Sequence, residues 1–159
     1  MEALARWQKS DGTFVSPGEF IPLFESSGFI TRFDMYIWKS VCKTLAAWQD
    51  KGRKLVPISI NVSMIDITNI DVPQYLSMLT EQYHISPEYL PVEITESVFA
   101  ESNTIVKNTI TRFHKKGFYV LMDDFGSGYS SLNVLKDANV DYLKLDMKFM
   151  QIDAKNKGS

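Results

Sequence analysis

Cysteine, histidine and long apolar runs are scarce in this 159-residue sequence, and each scarcity excludes a class of protein. The single cysteine, Cys42, cannot form an internal disulfide, and its helical surroundings are typical of a buried structural thiol. Two histidines and one cysteine do not supply the clusters that zinc and copper sites need. Because no apolar run approaches the roughly 20 residues of a membrane-spanning helix, and no leader pattern is present, a cytoplasmic protein is expected.

An excess of charge of one sign is also missing. Seventeen basic residues against 19 acidic ones give a net charge of −2, which argues against binding to polymeric nucleic acid through bulk charge. The hydrophobic fraction of 45% is enough for one globular domain with a substantial core.

Short β-rich runs alternate with helical patterns along the whole chain. The runs of strand length are 2–7, 55–63, 90–97, 118–126 and 142–150. The predicted helices are 17–27, with Ser16 as N-cap, then 31–50, 73–84, 102–116 and 130–138. Strands separated by single helices predict parallel βα units, and therefore an α/β fold with helices outside the sheet.

Alternation within two of these strands separates an apolar face from a polar one. In the run 55–63 the apolar face carries Val56, Ile58, Ile60 and Val62, opposite Ser59, Asn61 and Ser63. In the run 142–150 it carries Leu143, Leu145, Met147 and Phe149, opposite Lys144, Asp146 and Lys148. Charged residues on an inner face are costly unless they pair or bind an ion.

The polar residues near the carboxyl ends of the strands form a candidate site. They are Glu2, Asn61, Glu93, Glu96, Asp123, Asp124, Lys144 and Asp146. Converging carboxylates repel one another, so cations are expected among them, and all-oxygen ligands favour Mg²⁺ or Mn²⁺.

The stretch "DDFGSG" at 123–128 places two carboxylates side by side. Adjacent residues of an extended strand point to opposite faces, so the strand is expected to end near Asp123 and Asp124, with Gly126 and Gly128 supplying the turn. Two neighbouring carboxylates can then contact two ions, which suits an in-line attack on a phosphoryl group by a metal-activated water.

Five motifs in order resemble the EAL-domain phosphodiesterases of bacteria. They are "EAL" at 2–4 with Arg6 after it, "NVS" at 61–63, "EITES" at 93–97, "DDFGSGYSSL" at 123–132 and "KLD" at 144–146. The resemblance implies a modified TIM barrel that hydrolyses cyclic di-GMP to linear pGpG with two Mg²⁺ or Mn²⁺ ions.

The resemblance also implies a role for each motif residue. Glu2, Asn61, Glu93 and Asp123 would hold the first metal ion, and Asp124 would serve the second. Lys144 would orient the attacking water or stabilise developing charge. Leu4, Arg6 and Asp146 would form the substrate site, with the Arg6 guanidinium on a phosphate. Glu96 and the segment 125–132 would link metal occupancy to dimerisation and substrate.

The predicted strands are five, whereas a complete barrel of this type has eight. They correspond to the second to sixth strands of the family fold, so residues 1–159 are expected to form a partial EAL domain. Two unpaired strand edges would favour a homodimer or an edge-swapped oligomer. Hydrolysis by this stretch alone is expected to be weak or absent. A sensory or GGDEF domain commonly accompanies this module.

Two other functions are compatible with the same residues. An incomplete barrel could bind cyclic di-GMP or a protein partner without cleavage, as a regulatory module. A barrel enzyme could instead use Lys144 as a Schiff base, although the surrounding acids would keep that lysine protonated.

Overall fold

One parallel sheet organises the chain. The computed structural model describes residues 1–101, 103–126 and 139–147. Its four parallel strands lie in the order β3 (Ile60–Asn61), β4 (Val92–Thr95), β5 (Val120–Phe125) and β6 (Tyr142–Leu145). Glu2 forms a parallel bridge with Ser59 beside β3, so five segments follow one another across the sheet. The α/β, TIM-barrel-like prediction of about five parallel segments is confirmed.

Helices lie between the parallel strands. Their bounds are α1 (Pro17–Ser26), α2 (Ile30–Asp50), α3 (Met64–Asn69), α4 (Val72–Gln82), α5 (Glu96–Glu101) and α6 (Asn103–Lys115). A 3₁₀ turn covers Pro87–Tyr89. The long helix predicted for 31–50 is therefore present as α2, and the helix predicted for 130–138 lies outside the described residues.

The prediction of one continuous strand over 2–7 is wrong, because Glu2 bridges to Ser59 while Trp7 belongs to a separate antiparallel pair. Trp7–Gln8 (β1) instead pairs antiparallel with Phe14–Val15 (β2). The turn between them uses Gly12 at a φ of 87°, while the Asp11 carboxylate accepts a hydrogen bond from the Thr13 backbone N–H. Asp-Gly between two short runs is a hairpin signal, and it ends the parallel segment before Trp7.

The other strands are shorter than predicted. Pro57 and Pro91 have no N–H group to donate, and paired structure begins only after each of them. Residues 96–97, predicted as strand, begin α5, and α3 was missed altogether. The signal for α3 was Ser63, which exchanges capping hydrogen bonds with Asp66 three residues later.

The core lies between the sheet and the helices. Ile58, Ile60 and Val62 are buried as their alternation predicts, whereas Val56 is exposed. On β6, the last of the described strands, Leu143 and Leu145 are 37% and 49% exposed. Lys148 and Phe149 lie outside the described residues.

Candidate active site

Three carboxylates from three neighbouring segments meet at the carboxyl end of the sheet. Glu2 lies in the bridge to Ser59, Glu93 on β4 and Asp123 on β5. Each offers an oxygen, and these oxygens lie within 4.8 Å of one another. The parallel register produces this cluster, because it brings the ends of consecutive strands to one edge.

Lys144 on β6 reaches all three carboxylates. Its Nζ donates hydrogen bonds to Asp123 Oδ2 at 2.7 Å, to Glu93 Oε2 at 2.9 Å and to Glu2 Oε2 at 3.1 Å. Burial acts to lower the pKa of Lys144, but these three hydrogen bonds outweigh it and raise that pKa above its usual value.

Glu93 is the most buried member of the cluster, with 2% of its surface exposed. Burial raises the pKa of its carboxyl, against the hydrogen bonds from Ser59 and Lys144, which act to lower it. Such a group favours a nearby cation, because ionisation without one is costly.

Asn61 joins the cluster from β3. Its Nδ2 donates to Glu2 Oε1 at 3.4 Å, and its backbone carbonyl accepts a hydrogen bond from the Trp38 indole at 3.0 Å. Trp38 is fully buried in α2, so the core of the domain fixes the backbone at this end of β3.

The strand ends one residue after the paired aspartates, close to the predicted end. β5 continues to Phe125, and its pairing with β6 shifts register between Met122 and Phe125. Asp124 lies in this irregularity with a φ of 57°, a left-handed conformation in which Asp is one of the better tolerated residues. Gly126 also has a positive φ, and Gly128 lies outside the described residues.

Asp124 is exposed and is not one of the three clustered carboxylates. Burial and the charges of Asp123 and Asp146 nevertheless raise the pKa of its carboxyl. Asp146 follows β6, and its backbone N–H donates to the Phe125 carbonyl at 2.9 Å. Both aspartates therefore border the cluster.

Glu96 occupies a different position, at the start of α5. It is 7% exposed, and its Oε2 accepts a hydrogen bond from the Gly126 backbone N–H at 3.0 Å. Glu96 thus ties the end of β4 to the end of β5, directly before the segment 127–132, which lies outside the described residues.

A cavity of about 520 Å³ opens beside the carboxylates. Leu4, Arg6, Asn61 and Glu93 line it together with apolar side chains of α1 and α2. The Arg6 side chain is exposed and donates to the Ala5 carbonyl at 2.9 Å. The volume lies in the range of about 300 to 1,000 Å³ that is typical of small-molecule sites.

Asp34 also lines this cavity, and it was missed from sequence. The signal was its place on the buried stripe of α2, four residues after Ile30 and four before Trp38. A carboxylate at such a position is unusual and points to a special environment.

The residues present fit a divalent cation. Three carboxylates and the amide of Asn61 form an all-oxygen ligand set, which Mg²⁺ and Mn²⁺ prefer. The raised pKa of Lys144 opposes the Schiff-base alternative, because a nucleophilic amine must lose its proton.

Comparison with known proteins gives one family. The family described as EAL domain matches residues 1–159. Among curated relatives, the probable cyclic di-GMP phosphodiesterase PdeB of Escherichia coli is 37% identical over 149 residues, which cover 94% of this chain and 28% of PdeB. The cyclic di-GMP phosphodiesterase PdeR of the same organism is 33% identical over 153 residues, with 95% and 23% covered. The chain therefore spans about a quarter of the length of these two relatives.

Solved structures agree in fold. PaMucR phosphodiesterase in complex with c-di-GMP superposes with a TM-score of 0.86 and 28% identity, over 96% of this chain and 62% of that one. The EAL enzyme Bd1971, with cAMP and cyclic-di-GMP bound, gives a TM-score of 0.85 and 28% identity, over 98% and 44% of the two chains.

Among the described helices, none combines the length and apolarity that a bilayer crossing requires.

Proposed function

This chain belongs to the EAL domain family, and we propose that it carries most of the active site of a metal-dependent phosphodiesterase that hydrolyses cyclic di-GMP to linear pGpG. The observation that carries the proposal is the convergence of Glu2, Glu93, Asp123 and Lys144 at one end of the sheet, beside a cavity of about 520 Å³. Residues 1–159 would form a partial EAL domain that contains the second to sixth strands of the family fold.

Two sets of oxygen ligands would hold two ions, Mg²⁺ or Mn²⁺. Glu2, Asn61, Glu93 and Asp123 would bind the first ion, and Asp123 with Asp124 would bind the second. Bound cations would neutralise phosphoryl charge and lower the pKa of a water molecule. In the hydrolysis, water oxygen forms the new bond to phosphorus, while the 3′ oxygen leaves and takes up a proton.

The remaining residues would contact the substrate or the segment that follows Gly126. Arg6 would hold a phosphate of the dinucleotide with two N–H groups, and Leu4 would contact the bound substrate from the cavity wall. Lys144 would orient the water or stabilise developing charge, with Asp146 supporting the substrate side. Glu96 would couple the site to the segment after Gly126 through its contact with the Gly126 N–H.

A second candidate is a module that binds cyclic di-GMP without cleaving it. One observation favours it: the three clustered carboxylates already share the Lys144 ammonium, and the cavity lined by Leu4 and Arg6 lies beside them.

Calorimetric titration with cyclic di-GMP in Ca²⁺, followed by chromatography of products formed in Mg²⁺ or Mn²⁺, separates the two candidates. Metal-dependent pGpG formation, even at the low rate expected of a partial EAL domain, supports the enzyme, and binding with no detectable product supports the module. The absence of both contradicts the proposal. Glu93→Gln should abolish hydrolysis, while the matched control Glu88→Gln, an exposed residue of the 3₁₀ turn, should retain it.

Self-association is part of the proposal. Tyr142, Leu143, Leu145 and Met147 present exposed apolar surface at the β6 edge, which a second copy would cover in a homodimer or edge-swapped oligomer. Sedimentation over a tenfold concentration range tests this, and a strictly monomeric species would contradict it. A fused sensory or GGDEF domain in the whole protein is a further expectation.

A further inference from the structure

The Lys144 ammonium uses its full hydrogen-bonding capacity on the candidate metal ligands. An ammonium has three donors, and Lys144 directs one to each of Asp123, Glu93 and Glu2 at 2.7 to 3.1 Å. These are the same three carboxylates whose oxygens cluster within 4.8 Å.

A divalent cation would need those carboxylates at shorter range. Magnesium binds oxygen at about 2.1 Å. An ion bound to all three carboxylates would therefore occupy the position at which the ammonium now lies. A second cation so close to the ammonium would also repel it strongly, because the site is partly buried.

We propose that Lys144 competes with the metal: its ammonium holds Glu2, Glu93 and Asp123 together in the metal-free protein and withdraws when a divalent cation binds. The inference rests on the proposed function, and it adds a step to it. Metal binding would release the lysine from its three acceptors, which makes its hydrogens available to water and phosphate oxygen.

The lysine is the partner best able to move. Its side chain is 35% exposed and carries a flexible four-carbon stem, so the ammonium can regain hydration as it leaves. Glu93, by contrast, is 2% exposed and is held by hydrogen bonding to Ser59. The carboxylates therefore form the fixed frame, and the ammonium is the exchangeable ion.

Calorimetric titration of Mn²⁺ into wild type, Lys144→Met and Lys116→Met tests the competition. Lys116→Met is the matched control, because it removes the same charge from a lysine bonded to Gln74 near the amino end of β5, away from the cluster. Lys144→Met should bind Mn²⁺ about tenfold more tightly than wild type, since no ammonium has to be displaced. Lys116→Met should match wild type.

Thermal unfolding supplies a second readout. Without metal, Lys144→Met should melt below wild type, because three carboxylates then lack their counter-ion, and Mn²⁺ should raise its melting temperature by more than it raises that of wild type. If Lys144→Met binds Mn²⁺ equally or more weakly, the competition is disproved while the metal site stands. If wild type and both variants fail to bind Mn²⁺, the metal site of the proposed function is wrong as well.

Nitrogen NMR of the lysine ammonium groups tests the wild-type protein directly, and it covers the case in which Lys144→Met fails to fold. A protected Lys144 signal is expected without metal, and it should be lost when Mg²⁺ saturates the protein. Persistence of that signal at saturation would overturn the proposal.

Discussion

The half-buried Asp34 on α2, which lines the cavity, forms a carboxyl pair with Asp66 on α3. Asp66 is fully buried, and its Oδ2 accepts hydrogen bonds from the Ser63 backbone N–H and hydroxyl. No donor in the described part of the chain reaches Asp66 Oδ1. Burial, together with the charge and hydrogen bonding of Asp66 and the charge of Glu25, raises the pKa of Asp34 to about 8.

Because the pKa of Asp34 is raised, we expect Asp34→Asn to stabilise the protein at neutral and higher pH. When the pKa of a carboxyl is higher in the folded protein than in the unfolded chain, its ionisation lowers the free energy of unfolding. This loss grows as the pH rises from the unfolded-state pKa of about 4 to the folded-state pKa, and it is constant at higher pH. The amide can donate to Asp66 at every pH. We expect a gain of about 2 kcal/mol at pH 8 that shrinks towards pH 4, after allowance for solvent screening.

Urea unfolding at pH 4.5, 6.5 and 8.5 measures this difference. Glu88→Gln, which neutralises an exposed acid, should show no comparable trend. A destabilised Asp34→Asn at pH 8.5 would contradict the raised pKa of Asp34.

Trp38→Phe should weaken both the fold and metal binding. The substitution removes the indole donor of the 3.0 Å bond to the Asn61 carbonyl and leaves a small cavity in the core. The expected loss is about 1 to 3 kcal/mol in unfolding free energy. Because Asn61 is a proposed ligand, Mn²⁺ affinity measured by calorimetry should fall as well.

Trp48→Phe is the control for that change, since Trp48 packs partly buried on the core in the same helix. It should leave Mn²⁺ affinity unaltered. Equal loss of affinity in both variants would show that α2 acts through general stability rather than through Asn61.

Asp124→Asn should keep the fold and lose hydrolysis. Asn tolerates the left-handed φ of 57°, and removing the charge relieves repulsion with Asp123 and Asp146. The metal-free melting temperature should therefore stay level or rise slightly. Formation of pGpG should drop, because the proposed second ion would lose a ligand.

Asp124→Ala separates backbone strain from charge at the same position. Alanine in this conformation costs about 1 to 2 kcal/mol, so this variant should melt lower than Asp124→Asn. Wild-type activity in either variant would remove Asp124 from the catalytic site.

Asp71→Ala should destabilise α4 more than Arg112→Met does. Asp71 Oδ1 accepts the Gln74 backbone N–H at 3.1 Å as N-cap, and Oδ2 pairs with Arg112. Loss of the cap costs about 1 kcal/mol, whereas the exposed ion pair contributes at most about that much.

The pH dependence of this effect has the opposite sign to that of Asp34. The hydrogen bond from Arg112 lowers the pKa of Asp71, so its contribution is present at neutral pH and is lost as the carboxyl protonates in acid. Chemical unfolding at pH 7 and pH 3 should show a smaller difference between wild type and Asp71→Ala at pH 3. An unchanged difference would assign the effect to packing alone.

Residue patterns were sufficient to predict the parallel α/β fold and most of the clustered residues. Alternation through Ile58, Ile60 and Val62 predicts the inner face of a strand, and acids at successive strand ends must converge in a parallel sheet. Local signals also existed for features that were missed: Asp11-Gly12 for the hairpin and the Ser63 and Asp66 pair for α3.

Other features depend on contacts that local sequence does not encode. The shift of register that turns Asp124 out of the cluster arises from pairing with β6, some 20 residues later in the chain. The Asp34 and Asp66 pair depends on how α2 packs against α3. Lys144 and Glu2, 142 positions apart, meet at 3.1 Å. Sequence alone therefore determined which groups reach the carboxyl end of the sheet, because periodicity and chain order are local properties. Only the tertiary structure decided which of them touch, because strand register and helix packing set distances of a few ångströms between segments far apart in the chain.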